Sequence, residues 1–162
     1  MLSHKIRKCT QKDIEVLVET IRKSFQDVAL HFDLNQENAP RHPSNCTKEL
    51  IQKDMERGVN YYVAENENVV VECAALEQAN SDVCYPERLA VLPDQRRRGF
   101  GGKLVNHVLS KAKSLGVQRV NIGIIAEQIE LKNWYKKIGE GETKEFSHLF
   151  FHVTFISYVL NK

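Results

Sequence analysis

The amino-acid sequence predicts a mixed α/β fold with the element order β-α-α-β-β-β-α-β-α-β-β. Three observations carry this. Apolar residues recur at helical spacing in four separate stretches. Alternating, β-branched segments lie between and after them. The chain has 162 residues, the length of one ordinary domain, so residues 1–162 are read as a single domain with no room for a second.

The elements follow in order. Lys5 to Cys9 reads as a first strand. Thr10 and Asp13 form an aspartate variant of the capping box. After it Ile14, Leu17, Val18, Ile21, Phe25 and Val28 share one helical face. Phe32 to Asn45 has little periodicity and reads as an irregular loop, a place where binding residues gather. Thr47 caps a second helix carrying Leu50, Ile51 and Met55, and Gly58 ends it. Tyr61 to Ala64 and Val69 to Leu76 flank Asn66-Glu67-Asn68, a hairpin signal. Val83 to Val91 is a third strand of this group, with a bend or bulge expected at Pro86, which has no N–H to donate. Gly101 to Leu115 reads as a helix with Leu104, Val105, Val108, Leu109, Ala112 and Leu115 inward, stopped by Gly116. Val117 to Ala126 alternates as a strand. Glu127 to Ile138 is a short helix with Ile129, Leu131, Trp134, Tyr135 and Ile138 as its apolar set, closed by Gly139 and Gly141. Glu140-Gly141-Glu142-Thr143 reads as an unusually polar turn, and the tail from Thr143 to Leu160 as β-rich.

Composition excludes several classes. The formal net charge is +2, too small to suggest nucleic acid or a membrane surface as partner. Basic character concentrates in Arg96-Arg97-Arg98, which suits a small anion better than a long polyanion. No secretory signal and no membrane-spanning apolar run is visible, so the expected location is cytoplasmic. Cys9, Cys46, Cys73 and Cys84 form no CxxC pair and read as reduced, mostly buried side chains. No metal is expected: there is no HExxH, and His148 with His152 are too few ligands.

The strongest chemical signal is a strand, an arginine-glycine loop and a helix, from Leu89 to Leu104. Glycines ahead of a helix let the backbone approach a ligand, and the first helical amides lack intrahelical partners, so they can donate to phosphate oxygens. Arginine side chains can add charge-assisted bonds. The loop alone reads equally as a glycine-rich turn with a solvated basic cluster. A P-loop fails on spacing, since Arg97 stands where its first glycine belongs and Leu104 where Ser or Thr belongs. The dinucleotide fingerprint GxGxxG fails because Leu104 replaces its last glycine.

In this context the sequence resembles the GNAT family of acyl-CoA-dependent N-acetyltransferases. Arg96-Arg97-Arg98-Gly99-Phe100-Gly101 matches the family's signature of Arg/Gln, two residues, Gly, one residue, and Gly/Ala. Leu89-Ala90-Val91-Leu92-Pro93 precedes it, and Asn133-Trp134-Tyr135-Lys136-Lys137-Ile138-Gly139 is similar to the family's LYxKxG helix. The likeness is densest over residues 83–139 and follows in element order from residue 5 to 158. It departs at Gln128, where the family often has Asn, and at Glu140, where an aromatic residue is usual.

The resemblance implies a mixed, mostly antiparallel GNAT-like sheet flanked by helices, in which strands 87–91 and 119–125 are parallel neighbours that splay apart. It implies acetyl-CoA as acyl-donor substrate. The pantetheine arm would lie along Leu89, Ala90 and Val91, and Arg96, Arg97, Arg98, Gly99, Phe100, Gly101 and Gly102 would hold the pyrophosphate, with Gln128 and Tyr135 completing the cofactor site. Tyr135 is the candidate general acid for the departing thiolate, against the alternative of a packing residue beside Trp134. Glu87 is the candidate base, against an ordinary surface glutamate or a partner of Arg88; Tyr85 is a weaker choice for the same role. The expected activity is direct acetyl transfer to a primary amine in a ternary complex, with a non-catalytic CoA-binding module as the alternative. The expected partner is a small-molecule or peptide amine; a homodimer is compatible with this reading. The acceptor has no decipherable motif, and its pocket is expected around residues 25–43 and 146–152.

Overall fold

In the computed structural model the described residues are 4–125, 127–138, 141–147 and 152–160. The elements are β1 (His4–Lys8), α1 (Ile14–His31), α2 (Lys48–Glu56), β2 (Asn60–Asn66), β3 (Val69–Gln78), β4 (Val83–Val91), α3 (Phe100–Ser114), β5 (Arg119–Ile125), α4 (Ile129–Ile138), β6 (Gly141–Ser147) and β7 (His152–Val159). This is the expected order. The strands form one mixed sheet, hydrogen-bonded in the order β1-β2-β3-β4-β5-β7-β6. The parallel pair is β4 with β5, in register at Val83↔Arg119 and Cys84↔Val120.

The chain divides into two compact units. The first comprises Met1–Ala75 and Arg88–Val105. Its β1 pairs antiparallel with β2, from His4↔Asn66 to Lys8↔Tyr62. The capping box forms as expected: the Asp13 carboxylate accepts from the Thr10 N–H at 2.9 Å. Asp13 is also held from outside the box, because Arg7 donates to both its oxygens at 3.0 and 2.8 Å. Thr47 caps α2 by accepting from the Leu50 N–H at 3.2 Å. Glu67 and Asn68 turn β2 into β3 with φ of 53° and 67°, the doubly left-handed geometry that matches strand twist in a two-residue hairpin. One face of the sheet carries Val63, Cys73, Ala75 and Ala90, packed against Ile14, Leu17 and Ile21 of α1 and Ile51 of α2. Burying each Val, Leu or Ile side chain here contributes about 1.5–3 kcal/mol.

The second unit comprises Leu76–Glu87 and Asn106–Lys162. Here β5 pairs antiparallel with β7 from Arg119↔Val159 to Ile125↔Val153, and β7 pairs with β6. Val120, Ile122, Ile156 and Tyr158 are buried. The Asp82 carbonyl accepts from the N–H groups of Gln118 and Arg119 at 2.8 and 2.9 Å, fixing where β5 starts.

Three expectations are corrected. Leu115 is 47% exposed and Ile129 64% exposed, although periodicity put both inward. Leu115 follows the last residue of α3 and Ile129 is the first of α4, so neither has a helical turn to hold it on the apolar face. Gly141 to Thr143 form the start of β6, paired Gly141↔Tyr158, Glu142↔Ser157 and Thr143↔Ile156, because β7 supplies a partner that overrides weak strand propensity. In β4, Pro86 is buried, and two residues later Arg88 takes a left-handed backbone with φ 51°. Ala126, Gly139, Glu140, His148, Phe150 and Phe151, which entered the expected helix stop, strand ends and acceptor arm, lie outside the described residues. All four cysteines are free and buried, as composition suggested.

Candidate active site

The loop between β4 and α3 is built by its backbone. The Leu92 N–H donates to the Val71 carbonyl at 3.0 Å, tying the end of β4 to β3. Pro93–Gln95 make one short 3-10 turn. Arg97 and Gly99 are both left-handed, with φ of 65° and 79°. Left-handed residues interspersed in this way point successive N–H groups to one side, an arrangement that cradles anions. At the start of α3 the N–H of Lys103 reaches the Gly99 carbonyl at 3.3 Å. The amides of Phe100, Gly101 and Gly102 come before that rung and have no acceptor within the helix. A Cβ built on Gly102 meets nothing within 4 Å, so the space over this first turn is open.

The three arginines divide their work. Arg96 clamps the loop to α1: its Nη1 donates to Asp27 Oδ2 at 2.7 Å, its Nη2 to the Ser24 carbonyl, and its Nε to the Val91 carbonyl at 3.1 Å. Arg98 reaches Gln95 Oε1 at 3.3 Å, and Arg97 and Arg98 are exposed. Leu89 and Val91 are half-buried, while Ala90 points into the core.

Beneath the loop lies a buried pair that sequence reasoning missed. The Phe100 ring stacks on His4, centroids 4.7 Å apart and planes 2° from parallel. His4 Nε2 lies 2.8 Å from Glu72 Oε1. The second oxygen, Glu72 Oε2, is buried with no hydrogen-bond partner among the described residues. Burial pushes the Glu72 carboxyl up to about 8, against the pull of Lys103. Burial, with Lys103 adding to it, holds His4 below its ordinary value. The distance alone would fit an ion pair, but both shifts disfavour charge, so at neutral pH this is a neutral hydrogen bond. A lone carboxylate oxygen would be far costlier to leave unpartnered than the carbonyl oxygen of a protonated acid.

In the second unit, Tyr135 on α4 is 3% exposed and meets Trp134 edge-on at 5.0 Å and 71°. Burial, with Tyr158 adding to it, raises its phenol well above the ordinary value, so the hydroxyl keeps its proton. The Tyr158 hydroxyl donates to the main-chain carbonyl of Tyr135 and fixes that turn of α4. Gln128 leads into α4; its carbonyl accepts from the Lys132 N–H at 3.0 Å. Glu87 and Tyr85 are half-buried on β4. The expected site residues from Leu89 to Gly102 are thus brought together in the first unit, and Glu87, Gln128 and Tyr135 belong to the second. Among the described residues no group of three or more His, Cys, Asp or Glu side chains could hold a metal ion.

The Acetyltransferase (GNAT) family matches residues 23–139, most of the chain. The protein belongs to the GNAT acetyltransferase family. No curated relative matches it. Solved GNAT structures share its fold at low identity. An N-acetyltransferase of Thermoplasma acidophilum in complex with coenzyme A has a TM-score of 0.78 at 15% identity, covering 96% of this chain and 99% of that one. The ribosomal-protein-S18-alanine N-acetyltransferase of Escherichia coli gives 0.76 at 11% identity, covering 99% and 96%. A GNAT family acetyltransferase of Elizabethkingia anophelis with acetyl-CoA bound gives 0.65 at 17%, covering 97% and 98%.

Two predictions follow from this geometry. Arg96→Ala should lower stability to chemical denaturation by about 1 kcal/mol, a modest figure because the clamp is partly solvated. Arg98→Ala should change it by less than about 0.5 kcal/mol. Equal losses would remove the clamp from the account. The second prediction concerns pH. The unfolded Glu72 carboxyl ionises near 4.5 and the folded one near 8. Its contribution is full below the lower value and is lost as pH rises through the upper one. His4 acts in the opposite sense, but that contribution is complete above 6.5. Stability should therefore fall between about pH 6.5 and 8, by up to about 2 kcal/mol, and Glu72→Gln should flatten the fall. An identical slope in the two proteins would contradict the assignment.

Proposed function

We propose that this GNAT protein is an N-acetyltransferase that moves the acetyl group of acetyl-CoA to a primary amine by direct transfer in a ternary complex. The observation that carries the reading is the open first turn of α3: three amides with no intrahelical acceptor, entered through left-handed Arg97 and Gly99. That arrangement suits a pyrophosphate. Two of the solved relatives hold coenzyme A or acetyl-CoA, which supports the choice of ligand.

In this reading the amides of Arg97 to Gly102 hold the pyrophosphate, and the exposed Arg97 and Arg98 side chains add charge. Arg96 contributes its main chain and keeps the loop in place. The pantetheine arm runs along the backbone of Leu89, Ala90 and Val91. Glu87 takes a proton from the ammonium form of the acceptor, directly or through water. The amine nitrogen then attacks the thioester carbonyl, the C–N bond forms, the C–S bond breaks, Tyr135 protonates the leaving thiolate, and the second proton shed by the new amide nitrogen returns through water to the Tyr135 oxygen. Burial keeps this phenol protonated, as a proton donor must be, and also makes it a weaker acid than a solvated phenol. Gln128 is assigned to the cofactor on the family resemblance alone. Holding donor and acceptor together supplies much of the acceleration. The acceptor is a small-molecule or peptide amine, and four free buried thiols suit a cytoplasmic setting.

The test is a screen of amine acceptors with acetyl-CoA, reading free thiol release, followed by Tyr135→Phe on the best acceptor. This substitution keeps the ring and removes only the hydroxyl. It should lower kcat with little change in acetyl-CoA affinity, by no more than about 10²–10⁴-fold. Equal kcat in the two proteins would remove Tyr135 from the chemistry. Acetyl-CoA binding without thiol release across all acceptor classes would favour a CoA-binding module.

A further inference from the structure

Among the described residues, Arg88 alone combines a left-handed backbone, φ 51°, with a place inside a β-strand. For a residue with a Cβ this conformation is disfavoured by about fivefold to thirtyfold in population. Something must hold it there.

The holding contacts come from α2 and β2. Asp54 on α2 is 4% exposed and Tyr61 on β2 is 1% exposed. The Tyr61 hydroxyl donates to Asp54 Oδ2 at 2.6 Å. Arg88 Nη1 donates to the same oxygen at 2.7 Å and to the Tyr61 oxygen at 2.8 Å, closing a triangle. Arg57 Nη2 donates to Asp54 Oδ1 at 2.9 Å, so both carboxylate oxygens are satisfied. Burial keeps the Tyr61 phenol protonated, as its donor role requires. A buried ion pair of this kind adds little net stability over apolar packing, because desolvation offsets the attraction; what it supplies is a fixed geometry.

That geometry has a place to act. The next residues of β4 are Leu89, Ala90 and Val91, and the chain then enters the loop at Leu92. We propose that Asp54 and Tyr61 are positioning residues for the donor side of the reaction: by gripping Arg88 they hold the kink that sets the Leu89–Val91 backbone and its entry into the pyrophosphate loop. This rests on the acetyl-CoA reading and goes beyond it by assigning three residues that touch neither cofactor nor acceptor.

Arg88→Ala and Arg88→Gly separate geometry from stability. Both delete the same side chain and the same ion pair, but only glycine enters the left-handed region freely. The experiment is calorimetric titration of acetyl-CoA into the full-length proteins, with melting temperatures alongside. Arg88→Ala should bind about fivefold to thirtyfold more weakly than Arg88→Gly, since apparent affinity falls with the population of the competent backbone. Equal affinity in the two folded variants overturns the proposal, whatever their melting temperatures. If Arg88→Ala does not fold, Tyr61→Phe serves instead: it should weaken binding, and adding Arg88→Gly should restore it. A folded double variant with no recovery also overturns the proposal. A wild-type protein that does not bind acetyl-CoA overturns the cofactor reading and this inference with it, whereas wild-type binding with indistinguishable variants overturns this inference alone.

Discussion

The loop between β4 and α3 must leave its own amides unpaired and still keep one shape. The N–H groups of Phe100, Gly101 and Gly102 precede the first rung of the helix, so they cannot be satisfied from within it. A loop with so little internal bonding has to be held from outside. Left-handed Gly99 needs a residue without a Cβ, and left-handed Arg97 needs surroundings that impose the conformation.

The holding comes from three directions within the first unit. Arg96 ties the loop to α1 through Asp27 and the Ser24 carbonyl. His4 of β1, itself bonded to Glu72 of β3, stacks under Phe100. Asp54 and Tyr61 grip Arg88, just upstream in β4. The Arg96 clamp is partly solvated, whereas the other two anchors bury polar groups at a cost and meet it in different ways. Asp54 has donors on both oxygens, whereas Glu72 keeps its proton. Arg96 serves the scaffold, so in the proposed acetyl-CoA reading the anion is left to the backbone amides, with the exposed Arg97 and Arg98 side chains adding charge.

What was legible in the sequence was local. The capping box at Thr10 and Asp13, the hairpin at Glu67 and Asn68, the glycine-bearing loop and the order of elements are short-range patterns, and each formed. The end residues of helices were not legible: Leu115 and Ile129 have the right spacing but no neighbouring turn to keep them inside. The left-handed backbone at Arg88 was not legible either, because the residues that contact its side chain, Asp54 and Tyr61, are distant in sequence. The pairs Arg96–Asp27 and Arg88–Asp54 span 69 and 34 residues, and nothing in a single sequence marks such partners. For the same reason nothing in the triplet Arg96-Arg97-Arg98 distinguishes Arg96, whose partners Asp27 and Ser24 lie far away in sequence.

The central claim is that the start of α3 binds the pyrophosphate of acetyl-CoA through its backbone. The most direct measurement is calorimetric titration of acetyl-CoA into the wild-type protein and Gly102→Leu. Nothing lies within 4 Å of the added Cβ, so this variant should fold and melt close to wild type while filling the space above the amides. The account predicts saturable one-to-one binding to the wild type, competed by ADP, and at least about a tenfold loss of affinity in Gly102→Leu, the equivalent of ~1.4 kcal/mol. No binding heat in the wild type, or undiminished affinity in a folded Gly102→Leu protein, would contradict it.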